Sequence, residues 1–324
     1  MARIALDVMG TDRGPAEMVA GALMAVERGQ EVVLVGRRDV VEPELLASGS
    51  DLELVHAPEV VEMGDSPAQA LRDKPGSSVL TAARLVASGK ADALVSAGST
   101  GAAMAAASIV IGRLKGVLRP AIATSIPRPG SPSLLLDSGA NLEVRPVHLL
   151  QFGIMGSLLA EIVYGMVRPR VALLNIGSEP AKGRDLERSA FRLLEEAPVN
   201  FVGNVEGGDI TGDTADVFVT DGFTGNVALK TIEAAAGLVV RLVNTSFIDL
   251  PPDVSPHVAA PMGELHKVIN PERYGGAHLV GTSAGVVICH GSSSRNAILN
   301  AIRLATEGVK GGLVERLERG LVGP

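Results

Sequence analysis

Residues 92–111 read DALVSAGSTGAAMAAASIVI, and this stretch indicates the fold of the chain. It begins with a short apolar run of aliphatic side chains, which is typical of a buried β-strand. A turn with two glycines, Ser96–Gly101, follows at once and leads into alanines, which favour a helix. The order strand, tight turn, helix is the repeating element of a parallel α/β sheet.

The same alternation extends along the chain on both sides of this stretch. Further strands are predicted at 3–8, 31–36, 52–56, 121–127, 133–139, 170–177, 199–204, 216–222 and 285–291. Helices are predicted at 15–29, 145–165, 182–196, 224–241 and 293–308. Because the strands are apolar almost throughout, helices are expected on both faces of the sheet. The sequence therefore predicts a three-layer α/β/α sandwich with a mainly parallel sheet, formed by residues 1–324 as one domain.

One segment departs from this alternation. Residues 247–276 contain five prolines and no long apolar period. Loops of this length in compact domains are often functional. We therefore expect a proline-rich insertion or flap at about 242–276.

Composition excludes several classes of protein. The net charge of −7 over 324 residues argues against a broad nucleic-acid surface. One cysteine and six scattered histidines give neither a disulfide nor metal-ligand spacing, so no metal or cofactor is expected. Asp7 interrupts the first apolar run too early for a signal peptide, which favours the cytoplasm. The apolar stretch 147–167 contains His148 and Glu161, and is interpreted as a buried helix rather than a membrane span.

Polar residues mark the ends of the predicted strands, where parallel α/β sheets bind their ligands. Asp, Asn or Ser stands beside Gly at many of these ends, including Asp7, Ser96, Asp137, Asn141, Asn175, Asn204, Asp221 and Asn226. Each of them taken alone is equally well an ordinary cap or turn residue. Their number favours a binding site.

The turn at 96–101 is the best candidate for an anion site. Ser99 or Thr100 can cap the following helix, while glycines let backbone N–H groups approach a ligand. Walker and dinucleotide fingerprints are absent, so inorganic phosphate fits better than a nucleotide. The predicted phosphate-binding residues are Ser96, Gly98, Ser99, Thr100 and Gly101. A capped helix without a ligand is the alternative.

Two further motifs resemble catalytic arrangements but lack the structural context that each requires. Residues 281–285 match the G-x-S-x-G elbow of hydrolases, but the residues that follow are of strand type rather than helical. Cys289 and His290 are adjacent on that strand, so their side chains point to opposite faces and form no dyad.

Together these motifs resemble the phosphate acyltransferase family, which transfers an acyl group from acyl carrier protein to inorganic phosphate in bacterial phospholipid synthesis. The motifs are IALDVMGTDRGP (4–15), ADALVSAGSTGAAMA (91–105), LLLDSGAN (134–141), HLLQFGIMGS (148–157), RVALLNIGSEPAKG (170–183), NFVGNVEGGDI (200–210), VTDGFTGNVALKT (219–231) and GVVICHGSS (285–293). The resemblance implies a fold related to phosphotransacetylase and isopropylmalate dehydrogenase. It also implies a cytoplasmic homodimer, loosely associated with the membrane, that passes acyl phosphate to a membrane glycerol-3-phosphate acyltransferase.

Phosphate is itself a nucleophile, so this chemistry needs positioning and charge control more than a reactive side chain. We assign catalytic roles to Lys182, Asn204, Asn226 and Lys230, with the two lysines as cationic neighbours of the phosphate turn at 96–101. Supporting roles are assigned to Asp7, Asp137, Asn141 and Asp221. Solvated surface positions are the alternative for the lysines. An acidic carrier protein requires a local basic surface, for which Arg113, Lys115 and Arg119 are one candidate and Arg168 and Arg170 another. Two other functions stay open: a phosphotransacetylase-like enzyme that uses coenzyme A, and a non-catalytic regulator that binds acyl groups or nucleotides.

Overall fold

The structure is a computed structural model, and it describes residues 2–247, 262–264 and 267–322. Within those residues eleven strands form one sheet. In chain order they are Arg3–Asp7 (β1), Glu31–Gly36 (β2), Leu54–His56 (β3), Ala93–Ser96 (β4), Ala121–Ile126 (β5), Ser133–Leu136 (β6), Arg170–Leu174 (β7), Asn200–Val205 (β8), Val217–Val219 (β9), Ala277–Val280 (β10) and Gly285–Ile288 (β11).

The helices that cover the sheet follow the predicted strand–helix alternation. Those of the described residues are Pro15–Glu27 (α1), Arg38–Ser48 (α2), Pro67–Asp73 (α3), Ser78–Ala87 (α4), Thr100–Ala106 (α5), Pro146–Tyr164 (α6), Asp185–Glu195 (α7), Gly222–Ser246 (α8), Arg295–Lys310 (α9) and Leu313–Val322 (α10). A π-helical turn, Ala107–Ile111, continues α5.

The sheet consists of two parallel halves that run in opposite directions. Its strand order is β3-β2-β1-β4-β11-β10-β5-β6-β9-β7-β8. Strand β10 is antiparallel to both of its neighbours, and β5 is antiparallel to β6. The strands from β3 to β11 therefore have their carboxyl ends at one edge of the sheet, which we call the first edge. The carboxyl ends of β6, β9, β7 and β8 lie at the opposite edge, which we call the second edge.

Aliphatic side chains fill the space on both faces of each half. On the first half, α1 and α9 pack on one face and α4 and α5 on the other. On the second half, α6 and α7 cover one face, while apolar residues near the start of α8 contact the other. The three layers and the mainly parallel sheet confirm the predicted fold class.

Several elements differ from the sequence prediction. Strand β10 and the helices α2, α3, α4 and α10 were not predicted. Helix α8 continues to Ser246, so the first residues of the predicted insertion at 242–276 are helical rather than loop. Residues 248–261 and 265–266 of that insertion lie outside the described residues.

Helix α6 is long and apolar enough to cross a membrane by length and composition alone. Its residues Leu149, Phe152, Met155 and Leu159 are instead buried in the core against the second half of the sheet. The interpretation of this stretch as a core helix agrees with that packing.

Candidate active site

The first edge holds the predicted phosphate turn. Strands β1 and β4 pair in register so that Asp7 lies beside Ser96. Both residues are buried, and Ser96 Oγ donates to Asp7 Oδ2 at 2.8 Å. The N–H of Met9 donates to Asp7 Oδ1 at 3.2 Å, and that of Gly98 to Ser96 Oγ at 3.3 Å. Burial raises the pKa of Asp7 to about 6, against the weaker opposite effect of these bonds.

The rest of this turn is packed against neighbouring segments. Ser99 caps α5 by accepting from the N–H of Ala102 at 3.4 Å. A β-carbon at Gly101 would lie 2.5 Å from Pro67 Cγ, and one at Gly98 would lie 3.3 Å from the carbonyl oxygen of Met9. Thr100 is exposed. The turn thus has the predicted cap, but a buried carboxyl group occupies its centre.

The second edge begins with a tight turn after β6. The buried carboxylate of Asp137 accepts from the N–H groups of Gly139, Ala140 and Asn141 at 3.2, 3.0 and 2.7 Å. It also accepts from the N–H of Ile122 at 3.0 Å. Burial raises the pKa of Asp137 despite these bonds. Asp137 therefore shapes the turn.

The start of α8 packs directly on this turn. Asp221 caps the helix by accepting from Thr224 N and Oγ1, both at 2.8 Å. Gly222 donates its N–H to the carbonyl oxygen of Asn141 at 2.8 Å. A β-carbon at Gly139 would lie 3.7 Å from Asn226 Oδ1, so this exposed amide stands beside the turn.

A loop of residues 175–183 forms the next part of the second edge. Asn175 Nδ2 donates to the carbonyl oxygen of Lys182 at 3.1 Å, which closes the loop. Asn204 Nδ2 donates to the carbonyl oxygen of Glu179 at 2.9 Å, which holds the loop against β8. Gly183 has φ of +87°, and a β-carbon there would lie 2.5 Å from Asn175 Oδ1.

The side-chain acceptor of Asn204, Oδ1, has no hydrogen-bond partner among the described residues. Asn204 is buried, and among the described residues no donor reaches its Oδ1 atom. Because a buried acceptor without a partner is costly, this atom is suited to a donor group of a bound ligand.

Three cationic side chains lie at the second edge. Lys182 Nζ is 4.0 Å from Glu179 Oε2, and Lys230 Nζ donates to Glu233 Oε2 at 2.8 Å. Lys230 shares an open groove along α8 with Asn226. Both lysines are exposed, and within the part of the chain that the structure describes each pairs with one carboxylate, three residues away.

Arg184 joins the loop to α8. Its Nη2 atom donates to Asp221 Oδ2 at 2.9 Å and pairs with Glu187. Burial favours a higher pKa for Asp221, but the bonds from Thr224 and Arg184 outweigh it and hold the pKa below its ordinary value. The ionised carboxylate thus joins Arg184, two residues after Lys182, to the start of α8.

The structure thus divides the predicted site residues into two groups. Asp7, Ser96, Gly98, Ser99, Thr100 and Gly101 lie at the first edge. Asp137, Asn141, Lys182, Asn204, Asp221, Asn226 and Lys230 lie at the second. The prediction that the turn at 96–101 has Lys182 and Lys230 as neighbours is therefore not supported by the topology.

Residues for which the sequence predicted no catalytic, phosphate-binding or supporting role also build the second edge. Arg184 and Asn175 fix the loop, and Gly225 permits the close packing of α8. The two glycines three residues apart in DGFTGN (221–226) are the sequence signal for that packing, since they share a helical face.

The two arrangements set aside from sequence occupy ordinary structural positions. Residues 281–285 connect β10 to β11, so a strand follows the G-x-S-x-G match rather than the required helix. Cys289 is buried, which raises the pKa of its thiol to about 12, while His290 is exposed. A thiol of that kind is not a nucleophile at neutral pH.

The fold defines the class of protein. A phosphotransacetylase from Streptococcus pyogenes superposes with a TM-score of 0.63 at 17% identity, covering 94% of each chain. A 4-hydroxythreonine-4-phosphate dehydrogenase from Klebsiella pneumoniae superposes with a TM-score of 0.53 at 12% identity, covering 94% of this chain and 99% of that one. The chain thus has the α/β/α fold that these enzymes share, in agreement with the predicted relation.

Sequence similarity identifies the family within that class. The family described as fatty acid synthesis protein matches residues 2–316 of this chain, so the chain belongs to that family. The phosphate acyltransferase of Desulfitobacterium hafniense strain DCB-2 is 47% identical over 326 residues, which cover 98% of this chain and 97% of that protein. The resemblance that the strand-end motifs indicated is confirmed over nearly the whole chain.

Proposed function

We propose that this protein transfers a fatty acyl group from an acyl carrier protein thioester to inorganic phosphate. The observation that carries this proposal is the 47% identity to a phosphate acyltransferase over 98% of the chain. A phosphate oxygen attacks the thioester carbonyl carbon and the carbon–sulfur bond breaks. The products are an acyl phosphate and the thiol of the carrier, which takes up a proton after leaving as thiolate.

The reaction needs little from a side-chain nucleophile or base. Phosphate carries its second negative charge at cytosolic pH, since the second pKa of the related phosphate group of phosphoserine is about 6. A thiolate leaves readily, because the pKa of an ordinary thiol is about 8.5. What the protein supplies is position and charge control, and alignment of two reactants is worth about 7–11 kcal/mol.

We place the reaction at the second edge. Phosphate is a dianion, and Lys182 and Lys230 are the cations predicted to receive it; both lie at this edge. The amide of Asn226, beside the turn after β6, is suited to the thioester carbonyl oxygen. The free Oδ1 atom of Asn204 is suited to an amide N–H of the acyl donor.

The turn at 96–101 is the less favourable place for phosphate. Asp7 lies 2.8 Å from Ser96 Oγ in its centre, and an ionised carboxylate repels a phosphate dianion. Within the described residues this carboxylate has no cationic partner. We therefore assign structural roles at the junction of β4 and α5 to Ser96, Gly98, Ser99, Thr100 and Gly101, and propose the phosphate site at the second edge instead.

The cellular setting is part of the same proposal. Among the described residues of helix α8, Gly222 and Gly225 alone are buried, and Val227, Leu238 and Leu242 are exposed along its length. An apolar helix of this kind fits a homodimer contact. We further propose a cytoplasmic enzyme, peripheral at the membrane, that delivers its product to a membrane glycerol-3-phosphate acyltransferase.

Incubation of the protein with an acylated carrier protein, with and without inorganic phosphate, tests the function. Free carrier thiol and hydroxylamine-trapped acyl phosphate are expected to appear together and only with phosphate. Thiol release without phosphate would show a hydrolase instead.

The same assay with acyl-coenzyme A separates the two thioester donors. Faster transfer from coenzyme A would favour the phosphotransacetylase-like activity, to which the fold is also suited. Ligand binding with no thioester loss would favour a regulator.

A further inference from the structure

A cluster of positive charge lies at the start of α6. The helix begins at Pro146, and its first turn contains no acidic residue, so its partial positive charge is not neutralised. Arg145 precedes it, and Arg119 lies close enough to affect the ionisation of His148 in its first turn. Among the described residues neither guanidinium has a carboxylate partner, and the exposed Glu143 nearby forms no ion pair with them.

One ring nitrogen of His148 is a hydrogen-bond donor that faces another donor, the guanidinium of Arg145. The residue is 5% exposed, and its Nδ1 atom accepts from the N–H of Arg145 at 3.0 Å. In the neutral ring the proton then resides on Nε2. That atom faces Nη2 of Arg145 at 3.5 Å, and a guanidinium only donates. An oxygen that accepts from both groups would complete the arrangement.

The ring is held in its neutral form. Burial lowers the pKa of His148, and the charges of Arg145 and Arg119 lower it further. The tautomer with the proton on Nε2 therefore persists at neutral pH, where it can donate to an oxyanion.

The loop before β5 is fixed in place over α6. Leu118 donates its N–H to Gln151 Oε1 at 2.9 Å, and Gln151 Nε2 donates to the carbonyl oxygen of Gly116 at 2.8 Å. Gln151 lies less than one helical turn after His148. These bonds hold the backbone that carries Arg119, so little order is lost when a ligand binds.

The cluster lies next to the second edge. Asn141 Nδ2 donates to the carbonyl oxygen of Pro120 at 2.8 Å, directly after Arg119. Asn141 belongs to the turn that adjoins Asn226. A ligand that contacts both places must extend from an anionic group at the cluster to a reactive group at the turn.

We propose that Arg119, Arg145 and His148 bind the phosphodiester of the phosphopantetheine arm that carries the acyl group. This rests on the proposed function, in which an arm with its thioester at the second edge has a phosphate at its other end. Guanidinium groups donate to two phosphate oxygens in one plane, and the Nε2–H group supplies a further donor. The inorganic phosphate that is consumed has similar chemistry, so the test must separate the two sources.

Binding of the free arm tests this without any transfer reaction. Wild-type protein and the variants R145A and R119A are titrated with 4′-phosphopantetheine and with pantetheine, which lacks the phosphate. The wild type is expected to bind the phosphorylated compound at least about tenfold more tightly than pantetheine. That ratio corresponds to one hydrogen bond between charged groups. Each variant is expected to lose that preference. Equal affinity of the wild type for both compounds, or an unchanged preference in both variants, overturns the proposal.

Kinetics identify which phosphate uses the cluster. In R145A the KM for the acylated carrier is expected to rise about tenfold, with kcat and the KM for inorganic phosphate unchanged. A rise in the KM for inorganic phosphate alone assigns the cluster to the co-substrate and overturns the proposal. Arg28→Ala, which removes a cation at the end of α1, is the control for net charge. If the wild type prefers phosphopantetheine but forms no acyl phosphate, the proposed function fails while this site stands.

Discussion

Gly225 lies so close to Asp137 that a β-carbon added to the glycine would be 1.9 Å from the carbonyl oxygen of Asp137. Gly222, one turn earlier, would meet the backbone nitrogen of Asn141 at 2.8 Å in the same way. These contacts fix the start of α8 against the turn after β6. They also set the position of Asn226, one residue after Gly225.

Gly225→Ala is therefore expected to lower the free energy of unfolding by about 1–3 kcal/mol, because rigid backbone lies where the methyl group would go. Activity should fall as well, since Asn226 moves with the helix. Urea unfolding followed by circular dichroism measures the stability, and acyl-phosphate formation measures the activity.

Gly237→Ala on the exposed part of the same helix is the matched control. A β-carbon there would meet only the end of the Arg241 side chain, at 3.4 Å. Higher helix propensity should leave the protein equally stable or stabilise it by about 0.5–1 kcal/mol. Equal results for the two alanine variants would show that the close contact does not position α8.

Lys182→Ala is expected to raise the KM for inorganic phosphate about 10–100-fold, which corresponds to one hydrogen bond from a charged group. The backbone of its loop is held by Asn175 and Asn204 and should not move. Initial rates at varied phosphate measure the effect. Lys90→Ala, which removes an exposed cation elsewhere, serves as the control. An unchanged KM in Lys182→Ala would remove this lysine from the site.

The sequence predicted the layers of the fold better than the direction of its strands. Apolar runs and glycine turns indicate where a strand lies and where it ends, but they do not show at which edge of the sheet that end lies. Strand β10 has only four residues and follows the proline-rich segment, so no periodicity marks it. The antiparallel pairing of β5 with β6 then makes the second half of the sheet run in the opposite direction, and no residue pattern marks that reversal either.

That reversal explains which parts of the candidate site were predicted together. Within the second half the strands are parallel, so residues after β6, β7 and β9 do meet, as the rule for strand ends requires. Ser96 follows a strand of the other half, and the same rule places it at the first edge. The partnership of Arg184 with Asp221 was not predictable, because charge pairs between loops leave no spacing signal.

Ser99→Ala examines the role of the turn at 96–101. Loss of the cap on α5 should lower the free energy of unfolding by about 1 kcal/mol. The KM for inorganic phosphate should stay as in the wild type, since the reaction is placed at the second edge. A tenfold increase in that KM, without a larger loss of stability, would return the phosphate to this turn.

The buried carboxyl group of Asp7 should make stability depend on pH in a defined direction. Its pKa is about 6 in the folded protein and about 3.8 in an open chain. The folded state therefore holds the proton more strongly, and stability falls as pH rises from about 4 to about 6. A difference of two pKa units lowers the free energy of unfolding by about 3 kcal/mol once the group is fully ionised.

Asp7→Asn keeps one acceptor, for the N–H of Met9, places an amide donor opposite Ser96 Oγ, and does not ionise, so its stability relative to the wild type should increase over that range and then level off. Urea unfolding from pH 4.5 to 8 measures this, with Asp51→Asn at an exposed position as control. A constant difference between Asp7→Asn and wild type across the range would show that the pKa of Asp7 is the same in the folded and unfolded states, so that burial does not raise it.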